Sequence, residues 1–436
     1  MKKLLFYWGE LKSTFWFIPI LIVAMAVFAA VGLIYLDNLT DYQPSGIIQY
    51  VFSGSVASAR SVLSTISGAM IGVAGTVFSI TLVALTLASS QFGSRLLRNF
   101  MHERINQIVL GTYISTYVYC LLVLNSVKET EQVSFIPTFS VFVAILAAVA
   151  NIILLIIFIH HIAISIQADK VISDIAVALE KSIQTLYPEK LGEGPDQGTT
   201  PDVESLKKKF RYHRPILATK NGYVQYFDEN EFLTTAKDKD LLIELYNRPR
   251  DYFVKNMEIG QVHFNEASLE DELKNLSSAF IIGKVRTSQQ DVEFSIHQMV
   301  EIAARALSPG INDPYTAIAC IDNLTSTICH LTTVKFPSIY RYDEDGTLRV
   351  VAATLNFEGM INASFNQIRQ FAKGSPSVVI RLMEAMCTID RFVQNKAQKS
   401  AVQRHASMIL RAAENSFDEA NDLNDLRERS RLILGH

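Results

Sequence analysis

Charge is scarce in the first 168 residues, and four long stretches there carry none: 13–36, 61–90, 105–127 and 132–168. Uncharged apolar runs of this length read as membrane-spanning helices. No carboxylate interrupts any of them. That argues against a proton- or sodium-coupled transporter, which relies on ionisable groups inside the bilayer. The four runs also show no inverted repeat. Cysteine is equally sparse. Cys120 lies in an apolar run, and Cys320, Cys329 and Cys387 lie far downstream with no C-x-x-C spacing. Cys320 and Cys329 sit nine apart on a predicted helix and so face opposite ways. Neither a disulfide framework nor a zinc site is expected, and reduced thiols suit a cytosolic compartment. The net charge of −3 leaves no electrostatic footprint for nucleic acid. G-x-S-x-G, H-E-x-x-H and Walker A signatures are all missing, and Gly283-Lys284 lacks the upstream glycine. The expectation is a protein with no catalytic residues, no metal and no cofactor.

Charged residues make up 19% of the 436-residue chain and gather after position 168. A membrane half followed by a soluble half explains that distribution. The expected fold is an α-helical membrane domain of four transmembrane helices (1–168), followed by a connecting helix and linker (169–210). A small β-barrel-like module (211–287) and a mainly helical domain (288–436) complete it. The first run follows Lys2 and Lys3 but is too long for a signal peptide and lacks a small-residue cleavage site. Trp8 and Trp16 at one end and Tyr35 at the other suit an aromatic belt, and Pro19 is placed to bend the helix. Lys2, Lys3 and Lys12 precede the first span, and Arg95, Arg98 and Arg104 lie between the second and third. The intervening loops carry Asp37 and Asp41, with Arg60 at the end, and then Lys128, Glu129 and Glu131. This alternation predicts an inner-membrane protein with both termini cytoplasmic.

The second span is the most unusual. Ser61, Ser64, Gly68, Gly72, Gly75, Ser79, Thr86 and Ser89 recur at intervals of three, four or seven, with Val83 filling the one gap. Such spacing aligns them along one side of a helix. A small, weakly polar stripe either admits a neighbouring helix closely or faces water in a conduit. If it lines a pore, Arg95, Arg98 and Arg104 ring the cytoplasmic mouth and favour anions.

The fourth run is too long to end at the membrane. His160 and His161 mark its cytosolic boundary, where they serve either as interfacial residues or as a pH sensor. Beyond them Ile172, Ile175, Leu179, Ile183 and Leu186 repeat at helical spacing, which predicts one continuous helix running out of the bilayer up to Pro188. Asn151, inside the span, reads as an interhelical hydrogen bond or a site. A Pro/Gly-rich linker fills 188–203. Asn221-Gly222 between alternating apolar flanks predicts a hairpin. A short helix over Glu229–Lys237 and strands over Leu241–Tyr246, Tyr252–Lys255 and Phe280–Arg286 follow. Helices are predicted over 291–307, 314–331, 356–373, 376–395, 397–415 and 417–433, with a hairpin-like interruption near Asp343-Glu344-Asp345-Gly346.

The order of Gly222-Tyr223-Val224, a short helix, a strand and the segment Arg250–Val262 resembles the barrel-sandwich fold of biotinyl and lipoyl carrier modules. The modified lysine of that family is absent, and Arg250 and Asn256 replace two of its turn glycines. The resemblance therefore implies a fold and no carrier activity. Over nearly its whole length the chain resembles a second family. The four spans, FSITLVALTLASSQFGSRLLRNF at 78–100, VRTSQQDVEFSIHQMVEIAARALSPGINDPYTA at 285–317 and the Gly-Tyr-Val module together resemble the bacterial predicted membrane proteins numbered twenty-two fifty-four in the domain-of-unknown-function series. That resemblance implies the architecture and no activity.

Within Ser308-Pro309-Gly310-Ile311-Asn312-Asp313-Pro314, Asp313 suits an N-cap and Pro314 a first helical position. Gly310 would allow an unusual backbone angle. The segment is either a structural corner or a ligand or assembly contact built on Ser308, Gly310, Asn312 and Asp313. Arg286 and Arg305 could line it, and Asp313 would oppose an anion there. Glu293, His297 and Glu301 share one helix face, which suggests metal ligation or, with Arg305, an ordinary salt-bridge ladder.

These features point to a homo-oligomeric channel lined by the second span at Ser64, Gly68, Gly72, Gly75, Ser79 and Thr86, and capped by a cytoplasmic regulatory or assembly domain. The alternative is a non-conducting membrane-anchored sensor or scaffold. The expected partners are the lipid bilayer, further copies of the chain and a small ligand at the cytoplasmic domain, without nucleic acid.

Overall fold

The computed structural model describes residues 14–39, 55–93, 103–130, 133–186, 201–227, 229–248, 250–267, 274–286 and 291–435. The chain divides into two compact units, residues 1–171 and 172–436.

Among its described residues the first unit holds four helices long and apolar enough to cross a membrane: α1 (Phe17–Leu39), α2 (Val56–Phe92), α3 (Arg104–Ser126) and α4 (Thr138–Ser165). Between α3 and α4 lies a short antiparallel pair, β1 (Lys128–Thr130) and β2 (Val133–Phe135). Helix α3 is the centre of the bundle and packs against α1, α2 and α4. Its inward positions explain how. Gly111 lets α1 come so close that a Cβ there would lie 3.0 Å from both the Pro19 Cα and the Ile22 Cδ1. Further along α3, Tyr113 is buried in one apolar cluster with Met70 and Phe158, and Cys120 and Val123 in another with Leu63 and Ala144. Large apolar side chains on α1 and α4, including Phe28, Val31, Ile152 and Ile156, remain exposed. That is the surface a lipid-facing helix presents.

Helix α2 is 37 residues long, about 55 Å at helical rise and well beyond a hydrocarbon core of about 30 Å. The predicted continuous helix out of the fourth span is broken. Helix α4 ends at Ser165, Ile166 and Gln167 form a turn, and α5 (Ala168–Leu186) begins anew. The predicted apolar row is nonetheless buried at Ile172, Ile175, Leu179 and Ile183.

The second unit opens within α5, from Ile172 on, and continues with a short α6 (Val203–Lys207). Next come β3 (Tyr212–Leu217), β4 (Gly222–Phe227), α7 (Glu229–Asp238), β5 (Leu242–Leu245), β6 (Tyr252–Phe253), β7 (Glu258–Phe264) and β8 (Phe280–Gly283). Helices α8 (Val292–Ala306) and α9 (Pro314–Thr333) follow, then the hairpin β9 (Tyr340–Tyr342) and β10 (Leu348–Ala352). Four helices end the chain: α10 (Phe357–Phe371), α11 (Pro376–Asp390), α12 (Lys396–Glu414) and α13 (Ala420–Leu434).

The described strands of the second unit form two sheets, ordered β3-β7-β5-β10-β9 and β6-β4-β8. This corrects two expectations. Asn221-Gly222 does not close a hairpin, because β3 pairs with β7 while β4 pairs with β6 and β8. The dipeptide instead carries the chain from one sheet to the other. The Asn221 side chain accepts a hydrogen bond from the Lys255 N–H at 2.7 Å, and a Cβ at Gly222 would lie 2.5 Å from the Gly283 carbonyl. Nor is the β-structure confined to 211–287. Strand β10 returns from beyond α9 to pair parallel with β5, and its Val350 and Ala352 join the core shared by both sheets. The positions where glycines were missing also become clear. Arg250 and Asn256 both adopt positive φ, 90° and 66°, so the backbone keeps a bend that favours glycine.

Candidate functional site

Helix α2 has two faces. At about 100° per residue, Val56, Ala59, Leu63, Ser67, Met70, Ala74, Val77, Thr81, Ala84 and Ala88 fall on one side, and all are buried in the bundle. Ser61, Ser64, Gly68, Gly72, Gly75, Ser79, Val83 and Thr86 fall opposite, and all are exposed. A Cβ at Gly68, Gly72 or Gly75 would meet nothing within 4 Å. The contrast with Gly111 is informative: one glycine of the bundle is used for close helix approach, while the three of the stripe point outward. Ile71, Phe78 and Leu82 flank the stripe on one side and Ile80 and Leu87 on the other. Of the expected cytoplasmic mouth, Arg104 is exposed at the start of α3. Arg95 and Arg98 lie outside the described residues, as do Lys2, Lys3, Trp8, Lys12, Asp41, Glu131 and most of the linker.

Polar contacts tie the bundle from behind the stripe. The Asn151 amide donates to Thr116 Oγ1 at 2.8 Å and approaches Met70 Sδ at 3.5 Å, while Tyr113 OH donates to the Asn151 carbonyl at 2.6 Å. Sequence reasoning missed the role of Asp37, read only as a loop charge. Its carboxylate accepts the N–H groups of Phe139 and Ser140, each at 3.0 Å, and the Ser140 hydroxyl at 2.7 Å. It caps α4 from another helix, where a negative charge meets the positive end of the helix dipole. No sequence pattern signals a cap that sits a hundred residues away. At the other end of α4, His161 lies 3.5 Å from Glu103 and His160 is exposed.

In the second unit the segment 308–314 is a turn between α8 and α9. Asp313 caps α9, accepting the Thr316 N–H at 3.1 Å and the Thr316 hydroxyl at 2.5 Å. Pro314 takes the first helical position. Ser308 donates to the Arg305 carbonyl at 2.6 Å. The positive φ falls on Asn312, at 51°, and not on Gly310. Pro309, Gly310, Ile311, Asn312 and Tyr315 are exposed around the turn.

The row Glu293, His297, Glu301 is not an isolated ladder on one helix. Glu293, in the first turn of α8, is buried and pairs with Arg250, while Arg248 stands 3.6 Å away. Asp291 is buried too. Its carboxylate accepts Arg286 Nη2 at 2.5 Å and Nε at 3.1 Å. Arg286 Nη1 faces His297 Nδ1 at 3.2 Å. Burial raises the pKa of Asp291 and of Glu293, and the adjoining guanidiniums offset only part of the rise. The loop ends at β5–β6 and β8–α8 are thus pinned by ions to one helix N-terminus. This fixes the α8 end of the sheet and explains why an arginine occupies the left-handed position 250. A glycine would suit the backbone better but could not reach Glu293.

A family model of predicted membrane proteins (DUF2254) matches residues 12–388. An uncharacterized protein of Mycobacterium bovis is 31% identical over 381 residues, covering 86% of this chain and 72% of that one. Uncharacterized proteins of two Mycobacterium tuberculosis strains are 31% identical over 384 and 381 residues, with the same coverage. No solved structure matches. The span pattern, the 285–317 segment and the extent of the match agree: the chain belongs to the DUF2254 family of multi-pass predicted membrane proteins.

Proposed function

We propose that the protein is a homo-oligomeric channel or pore of the inner membrane, with both termini cytoplasmic and with α2 from each copy lining the conduit. The observation that carries this reading is the outward, unfilled stripe of Ser64, Gly68, Gly72, Gly75, Ser79 and Thr86. The protomer uses the opposite face of α2 for its own packing and leaves this one to a neighbour or to water. Four helices per chain leave little material for a conduit inside one copy, so several copies around an axis are needed. The second unit serves as the cytoplasmic regulatory or assembly part, with the 308–314 turn as a candidate surface for a ligand or another copy.

One feature favours a second reading, a non-conducting anchored sensor or scaffold. The hydroxyls of Thr65, Thr76 and Thr86 donate to the carbonyls of Ser61, Gly72 and Leu82 four residues back. Hydroxyls satisfied in this way need no water and suit a dry seam between helices.

Cysteine substitution decides between the two. In a membrane-embedded conduit, Gly75→Cys and Ser79→Cys react with a membrane-impermeant thiol reagent and the modification changes single-channel current, while Ala74→Cys on the buried face stays silent. An assembled protein that carries no current at any voltage, with Gly75→Cys unlabelled, refutes the channel and leaves the scaffold.

A further inference from the structure

The α2–α4 contact has a regular register. Leu63 and Ala144 belong to one buried cluster, Val77 and Phe158 to another, and Met70 meets Asn151 midway between them. Each pair is separated by the same 81 positions, and successive pairs follow at seven-residue steps. Equal separation along the two helices sets the three pairs at matching levels, rungs two turns apart. Around these rungs the inner face of α2 is built from small side chains: Ala59, Ser67, Ala74, Thr81, Ala84 and Ala88. Small residues between Leu63, Met70 and Val77 give close approach but little relief, which weakens the resistance to a one-turn slip or a rotation. Only the middle rung is polar. Asn151 is 2% exposed at the centre of α4, and its amide has partners on α2 and α3 at once.

We propose that Asn151 is the positioning residue that sets the register and rotation of α2, and through them which face of α2 the protomer turns outward. In coiled coils a single buried asparagine specifies alignment at some expense in stability, because every slipped alignment strands its amide in an apolar layer. The same logic applies in a bilayer, where water cannot satisfy the stranded group. Slipping α2 by one turn takes Met70 away and leaves the amide with Thr116 alone; Val73 or Ala74 arrives in one direction, Ile66 or Ser67 in the other. Tyr113 is indifferent to this choice, since it binds the main-chain carbonyl of Asn151. The proposal deepens the reading of α2 as the conduit-lining helix, and rests on that reading only for its consequence on current.

The test is intramolecular cross-linking in the full-length protein in native membranes, in a background without the four native cysteines. Leu63→Cys with Ala144→Cys reports the native register. Leu63→Cys with Val141→Cys or Ala148→Cys reports slips of about one turn in either direction. With Asn151 present, the 63/144 pair should dominate. With Asn151→Leu, its yield should fall several-fold and the slipped pairs should rise. The mixed-micelle unfolding midpoint should stay equal or increase. Asn151→Gln, which keeps the amide, should preserve the native pattern. An unchanged pattern in the leucine variant overturns the proposal. So does a glutamine variant as disordered as the leucine one, or a pattern lost only together with the fold. Neither readout depends on ion flow, so a protein that never conducts refutes the channel without touching this result.

Discussion

His405 gives the second unit a defined sensitivity to acid. It lies on α12, fully buried against α10, with Nε2 2.9 Å from Asn362 Oδ1. That oxygen only accepts, so Nε2 carries the proton and Nδ1 is the bare nitrogen. Nδ1 has no hydrogen-bond partner. Protonation would place an N–H with no acceptor in a dry helix interface, beside the cationic Arg404 and Arg369. Burial first, then those two arginines, push the histidine pKa down from 6.5 to about 4, against a smaller opposing effect of Glu358. A histidine depressed when folded stabilises the fold fully above its unfolded pKa. That stability drains as pH falls below about 6.5 and is exhausted below about 4. The full span corresponds to about 3 kcal/mol, and about 2 kcal/mol is lost between about pH 7.5 and pH 5. Hydrogen exchange of the α10 and α12 amides in the full-length protein, corrected for the intrinsic pH dependence of exchange, measures this directly. Opening should be favoured roughly 30-fold more at the lower pH. His405→Gln keeps a donor toward Asn362 but cannot titrate, so its opening should vary far less over the same range. Equal pH slopes in wild type and variant, or protection that rises on acidification, would refute the assignment.

Arg250 tests strain against charge pairing. Arg250→Ala should cost a few kcal/mol by leaving buried Glu293 with only the more distant Arg248, and Arg250→Gly should cost about 1 kcal/mol less by relieving the left-handed backbone. Chemical denaturation of the purified protein ranks the two, and a glycine variant less stable than the alanine one contradicts the strain. Asp37→Ala should destabilise the membrane bundle by about 1–2 kcal/mol through loss of the α4 cap. Unfolding in mixed micelles reads the change, and an unaltered midpoint would show that the carboxylate does not hold α4. Asp313→Ala should cost the second unit about 1 kcal/mol. Unchanged stability together with lost assembly or ligand binding would instead make the 308–314 turn a functional contact.

Local and one-dimensional features were legible in the sequence. Hydropathy and length marked the four spans, because a bilayer demands an uninterrupted apolar run whatever the neighbours do. Helical periodicity marked the α2 stripe and the buried row of α5, and capping chemistry marked Asp313 and Pro314, since a cap is satisfied within its own turn. Features that depend on distant partners were not legible. Asn221-Gly222 has the chemistry of a hairpin, but strand pairing is decided by which edges meet, and β7 and β8 claimed β3 and β4 separately. Asp37 found α4, Glu293 found Arg250, and β10 found β5 across long separations. Ile166 and Gln167 carry no helix breaker, yet the helix turns there. The sequence by itself determined where the chain is apolar, where helices such as α9 and α11 begin, at Pro314 and Pro376, and that one helix carries a small-residue stripe. Only the tertiary structure decided that this stripe points away from its own bundle, because the outcome depended on which face of α2 packed better against α3 and α4. Met70, Ala74 and Val77 fill that interface, and the glycines do not.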